Sequence, residues 1–183
     1  FSLLLQKLQL NNAILVKYAA SIIDNMILLD KTVISPLVGA GLFPITKEVY
    51  QNTNFAAKNQ IVSYLARIAQ LGNYEHKVQM LQEQLFLAFI STLALDTEEH
   101  QLTVRLFTAL IELFDVAKRE SKLDYCLSLI DPDDIAAIRD IYQEHENLCL
   151  ANNANTFLRT FFDENNGNDD EYDDSDDATL FKF

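Results

Sequence analysis

Three long stretches of helical apolar periodicity, set 42 and then 45 residues apart, limit what this chain can fold into. The clearest runs from Asn54 to Leu71. Asn54 suits an N-cap, because its side chain can accept from the free amides of a first turn. Ile61, Leu65 and Ile68 fall on one helical face, and Gly72 ends the run. A second stretch starts near Thr97, another capping residue, and passes through Leu102, Leu106, Ala109 and Leu110 to about Lys118. A third covers Asn12 to Leu29. Asn25, Arg67 and Glu112 hold comparable positions on the three, and their separations give the interval.

Four glycines and three prolines in 183 residues leave few breaks, and polar–apolar alternation is scarce, so the expected fold class is all-α. Shorter helices should lie between the long ones. Gly41-Leu42-Phe43-Pro44 opens one, with Pro44 tolerated in a first turn. Glu83 to Thr92 is its counterpart. A period of ~40–47 residues with three helices per unit is the armadillo or HEAT interval. Each unit of that kind has an incomplete core and must stack on a neighbour, leaving a continuous groove. The expectation is an armadillo-repeat, right-handed superhelical solenoid, with an irregular helical bundle as the alternative. Its units read as Phe1–Leu29, Lys31–Leu71, Asn73–Lys118 and a terminal cap, Lys122–Phe162. Ile61, Leu65, Ile68, Leu106 and Leu110 should be buried between them. In the cap, Asp131-Pro132-Asp133-Asp134 separates two helices, and Asp133 or Asp134 should cap the second. A helical stretch then carries Glu144-His145-Glu146-Asn147, and a further helix runs to Phe161-Phe162. The apolar start, Phe1-Ser2-Leu3-Leu4-Leu5, reads as the interior of a larger fold cut open, so a C-terminal fragment is expected.

From Asp163 to Asp177 there are nine carboxylates and no Lys or Arg. Such a segment cannot bury enough apolar surface to offset its ordering entropy. Residues 163–183 are therefore expected to be a disordered acidic tail on a body of residues 1–162. An acidic tail of this length suits partner docking. It carries −8 of the chain's formal net charge of −13. That charge disfavours nucleic acid and favours basic peptides or basic protein surfaces. The longest apolar run, Leu85 to Leu95, is too short for a hydrocarbon layer of ~30 Å, so no membrane partner is expected. Cys126 and Cys149 fit no metal or redox spacing and read as small buried residues in a reducing compartment. His76, His100 and His145 lie far apart in sequence, and no phosphate loop or nucleophile elbow is present. The expected catalytic, metal and cofactor sets are empty, and the chain reads as a binding protein rather than an enzyme.

Three stretches resemble the C-terminal armadillo repeats of importin-α (karyopherin-α), the nuclear import adaptor. Leu42-Phe43-Pro44 through Asn54-Phe55 to Arg67 is similar to a family repeat with its Leu-Val-Pro opening, Asp-Phe and long third helix. Tyr125 to Asp131, followed by Ile135 and Ile138, resembles the family segment ending in Ile-Glu-Glu and then Leu-Asp-Lys-Ile. His145-Glu146-Asn147, Phe161-Phe162, the acidic run and Phe181-Lys182-Phe183 follow the order of the family's C-terminus. The resemblance covers almost the whole chain.

The resemblance implies a groove lined by third-helix Trp and Asn residues four apart, on one helix face. The indoles would pack the stems of cargo Lys or Arg, and each Asn would bond the peptide backbone. Here those positions fall on Ser21 and Asn25, Ser63 and Arg67, Thr108 and Glu112, and the chain has no Trp. A basic nuclear-localisation peptide should thus bind weakly. Arg67 is expected to pair with a nearby carboxylate, Asn25 to clamp a peptide backbone or lie solvated, and Glu112 to attract a basic side chain or lie solvated. The resemblance further implies transport with importin-β, shuttling between nucleus and cytoplasm, and recycling by a CAS-type exportin with Ran-GTP. The docking candidates for that exportin are Glu144, His145, Glu146, Asn147, Asp169, Asp170, Glu171, Asp173 and Asp174. The alternative reading is an armadillo or HEAT scaffold subunit of a larger assembly, without cargo.

Overall fold

The computed structural model describes residues 1–10, 12–95 and 99–163, and among these there are helices and turns but no strand. After α1 (Ser2–Leu8) comes α2 (Ala13–Leu29), the first long helix. A 3₁₀ turn (Lys31–Val33) and α3 (Ile34–Gly39) lead through α4 (Leu42–Asn52) to α5 (Phe55–Leu71). Then follow α6 (Tyr74–Gln82), α7 (Phe86–Leu93) and α8 (His100–Arg119). The last set is α9 (Leu123–Ser128), α10 (Pro132–Tyr142) and α11 (Leu148–Leu158), closed by a π-helical turn at Arg159–Asp163. From α3 on, two shorter helices precede a long one twice over, at α5 and α8, and a third set of three follows. Residues 122–162, expected as a terminal helical cap, likewise hold three helices.

The long helices form by local rules. The Asn12 side chain accepts from Ile14 and Leu15 amides at the head of α2, and Asn54 accepts from Ala57 at the head of α5. Each satisfies donors that a first turn leaves free. Gly72 follows α5 in extended backbone, and only glycine fits there, since a Cβ would sit 2.5 Å from the carbonyl oxygen of Ile68. Gly41 takes φ +92°, a left-handed turn that sends the chain into α4. The stripe Ile61, Leu65 and Ile68 is fully buried, as are Leu106 and Leu110 of α8.

Successive long helices pack on one another: α2 against α5, α5 against α8, α8 against α11. A buried core runs through the stack from Leu5 to Phe161. At its C-terminal end Phe107 and Phe114 of α8 meet Phe157 and Phe161. Polar side chains tie corresponding parts of successive units together at a steady sequence separation. Ser35 of α3 meets His76 of α6, 41 residues on. Tyr50 of α4 bonds Ser91 and Thr92 of α7, 41 and 42 residues on. Ser63 of α5 bonds Asp24 of α2 across 39 residues, and Arg105 of α8 bonds Ser63 across 42. Gln84 meets Tyr125 across 41. The layout is all-helical and compatible with a helical solenoid in which each unit rests on the one before.

Several expectations are corrected at the helix ends. Helix α7 starts at Phe86, not Glu83, because Gln84 adopts φ +60° and closes α6. Leu85 N–H donates to Met80 and Gln84 N–H to Leu81, the two bonds of a Schellman turn. Ser121, at φ +55°, ends α8 in the same way. Asp131, not Asp133 or Asp134, caps α10, with Pro132 at its first position. Asp131 stands before Pro132, whose preceding residue is pushed to extended backbone, and extended backbone is what an N-cap needs. The Glu144–Asn147 quartet lies in the turn between α10 and α11, not in a helix. Cys149 is exposed in the first turn of α11, whereas Cys126 is buried. Asp163, assigned by charge to the tail, ends the π turn and pairs with Arg139 of α10. Thr97 and residues 164–183, with the acidic tail from Glu164 on, lie outside the described residues.

Candidate functional site

The six groove candidates all lie on the stacked long helices α2, α5 and α8, but the structure fills much of that face from within. Arg67 donates through Nε to Asp24 Oδ1 at 2.6 Å and through Nη2 to Asp24 Oδ2 at 3.2 Å. Both side chains are largely covered, at 15% exposure each. Ser63 donates to the same carboxylate at 3.1 Å and accepts from Arg105 Nη1 at 2.9 Å. A bidentate guanidinium–carboxylate pair is among the stronger polar contacts a protein makes. Thus Arg67 and Ser63 are engaged by their own scaffold. Thr108 turns its hydroxyl back on the carbonyl of Val104, one turn earlier in α8. Glu112 is held by Lys77 of α6 at 2.6 Å. Asn25 is exposed and Ser21 half-buried on α2.

Three residues of this face were not singled out from sequence: Asp24, Lys77 and Arg105. Asp24 stands 43 residues before Arg67 and Arg105 stands 42 after Ser63, so the repeat interval itself was the signal. On α8 the residue that meets Ser63 is Arg105, three residues before the groove candidate Thr108. The local field is crowded with cations. Arg105 is drawn below its ordinary value by burial and then by Arg67, with Asp24 and Glu99 acting in the opposite sense. A basic peptide on this part of the face would meet two guanidiniums.

The second candidate region is the turn between α10 and α11. His145 accepts the Asn147 amide on Nδ1 at 2.9 Å, stacks on Tyr142 and stands edge-on to His100 of α8. The Asn147 side-chain oxygen caps α11 by accepting from Cys149 N–H, while its amide lies 3.4 Å from His100 Nδ1. These two residues pin the last unit to α8. Glu144 and Glu146, between and beside them, are exposed, as is Leu148. The remaining docking candidates, Asp169, Asp170, Glu171, Asp173 and Asp174, lie outside the described residues.

Among the described residues no group of three or more His, Cys, Asp or Glu side chains could hold a metal ion, and no helix is long and apolar enough to cross a membrane. Comparison with family models finds no match, and comparison with curated proteins finds none.

Proposed function

We infer that this chain is part of a protein-binding adaptor of the importin-α type, built of armadillo repeats in a right-handed superhelix. The observation that carries this reading is the set of side-chain bonds between corresponding parts of successive units at 39 to 43 residues, close to the lower end of the armadillo interval of ~40–47. It joins the order of C-terminal motifs in the sequence. The α2–α5–α8 face takes basic nuclear-localisation peptides weakly, since Arg67 stands where an amide would serve, Arg105 reaches Ser63 where an indole would, and no Trp is present. Binding to a CAS-type exportin with Ran-GTP falls to the α10–α11 end, where Glu144 and Glu146 project, and to the acidic segment beyond it. Importin-β and shuttling between nucleus and cytoplasm follow from the same reading.

The test is retention of the chain by CAS and Ran-GTP in a pull-down. Clustered carboxylates steer a basic surface and raise its association rate, an effect screened over ~8 Å at physiological ionic strength. Retention should therefore fall steadily as salt rises. Deleting Asn165 to Phe183 should mainly slow association. Absence of any CAS binding favours the second reading, a scaffold subunit without cargo. The internal Asp24–Arg67 pair supports that second reading, because it engages Arg67 at a groove position that a cargo adaptor leaves open.

A further inference from the structure

A cavity of about 320 Å³ opens between α4, α7 and the turn that leads into α10. Leu85, Leu87 and Leu129 give it an apolar lining, and Tyr50 stands in its wall. Three charged groups face it: Lys47 from α4, and Asp131 and Asp134 from the start of α10. Asp133 lies beside that pair and adds a third carboxylate. Asp131 is partly used in capping α10. No hydrogen bond or ion pair within the described residues engages the Asp134 carboxylate, which is pushed above its usual range by burial and then by Asp131 and Asp133. The site therefore joins an apolar floor to a carboxylate rim in excess over its single lysine. Its complement is a cation flanked by large apolar side chains.

The chain itself contains one such segment. Leu180-Phe181-Lys182-Phe183 places a single Lys among three large apolar residues, and Lys182 is the one basic residue after Arg159. The segment's root is anchored at the right place. Asp163 is ion-paired to Arg139, which lies five residues along α10 from Asp134, a rise of about 7.5 Å. Sixteen residues separate Asp163 from Leu180 and can span up to about 50 Å, several times what is needed.

We propose that Leu180-Phe181-Lys182-Phe183 docks into this cavity of its own chain. The Phe rings cover Leu87 and Leu129, and the Lys182 ammonium meets Asp134 and Asp131. Lys47, on the opposite wall, repels Lys182 but suits Asp176 and Asp177, which precede the segment by a few residues. Another apolar cavity, on α1 and α2, is lined by Phe1, Leu3, Leu4, Ile22 and Met26 and has no carboxylate to receive Lys182, only Lys7.

The experiment uses the full chain with the photoreactive residue p-benzoyl-phenylalanine in place of Phe181 and, separately, of Phe183. After irradiation, cross-linked peptides are mapped by mass spectrometry. The expected products lie within one chain and join position 181 or 183 to residues around Leu87, Leu129 or Tyr50. Asp134→Asn, or Lys182→Glu, should lower their yield about fivefold while the helical circular dichroism is unchanged. Four results would overturn the proposal. They are cross-links mainly to α1 and α2, products between two chains that grow with concentration, no product from either position, and a yield indifferent to both substitutions.

Discussion

Arg67 of α5 and Asp24 of α2, 43 residues apart in sequence, meet through two parallel hydrogen bonds at 2.6 and 3.2 Å. The pair fixes one long helix against the next and at the same time closes part of the face that the sequence offers as a groove. Removing only the carboxylate, as in Asp24→Asn, leaves Arg67 beside Arg105 with no anion in contact. The expected cost is about 1–3 kcal/mol, the range for a part-covered charged group that loses its partner. Arg67→Met should cost less, because its remaining carboxylate keeps Ser63 as a donor. Urea denaturation of the two variants checks the order.

The same pair controls basic peptides. Arg67→Asn removes a cation and frees the Asp24 carboxylate, so affinity for a bipartite nuclear-localisation peptide should rise about tenfold, or ~1.4 kcal/mol. Calorimetry measures it. Submicromolar affinity in the parent chain, unimproved by the substitution, would show this view of the groove to be wrong.

Leu65 of α5 and Leu106 of α8 are fully buried. Truncating either to Ala should cost about 2–5 kcal/mol, the lost transfer energy plus the cavity left behind. Thermal melts followed at 222 nm are the check, and a loss under ~1 kcal/mol in both would mean that these helices do not depend on one another.

His76 should make stability depend on pH. Its Nδ1 accepts the Asn73 amide at 3.1 Å, so the neutral ring carries its proton on Nε2 and donates it to Ser35 at 3.2 Å. Burial lowers the folded pKa below the ordinary 6.5. The folded state then binds fewer protons than the unfolded state just below that value, and stability falls as the pH drops through about 6.5. Above it the contribution is complete. His76→Gln should flatten the denaturation midpoint between pH 7.5 and 5.5, and an equally steep profile in the variant would rule His76 out as the cause.

The α10–α11 turn separates a structural role from a docking role. Asn147→Ala removes the α11 cap and should lower stability by about 1 kcal/mol. Glu144→Lys with Glu146→Lys touches two exposed side chains and should leave the melting temperature within a degree or two while weakening CAS retention. Should the double variant bind CAS as the parent does, the exportin surface lies elsewhere.

The long helices were legible because their signals are local. Asn12 and Asn54 cap within three residues, Gly72 follows α5 where a Cβ would meet its last turn, and the buried stripe follows from the spacing of Ile61, Leu65 and Ile68. The ends at Gln84 and Ser121 were not, because a left-handed residue is read from Gly or Asn and neither stands there. The paired Schellman bonds hold those two backbones in the left-handed region instead. Asp131 was passed over as a cap because Asp133 and Asp134 have the same chemistry two and three residues on. At the candidate groove the residue types were legible but their partners were not. Arg67 has many carboxylates in an acidic chain to choose from, and only stacking selects Asp24. Cys149 was misplaced for a related reason: composition places cysteines inside, while the cap at Asn147 turns this one outward.

The bonds between equivalent helices have a consequence for how such a chain can be lengthened or rearranged. Each half of the Asp24–Arg67 contact belongs to a different unit, and so does each half of the Ser63–Arg105 contact. A unit copied or moved to another place would carry only one half. Copied to follow α8, in the place of α11, the α5 helix would offer Arg67 to a neighbour whose counterpart of Asp24 is Ile111. The units are therefore alike in shape but not exchangeable, and their order along the chain is written into which charges meet.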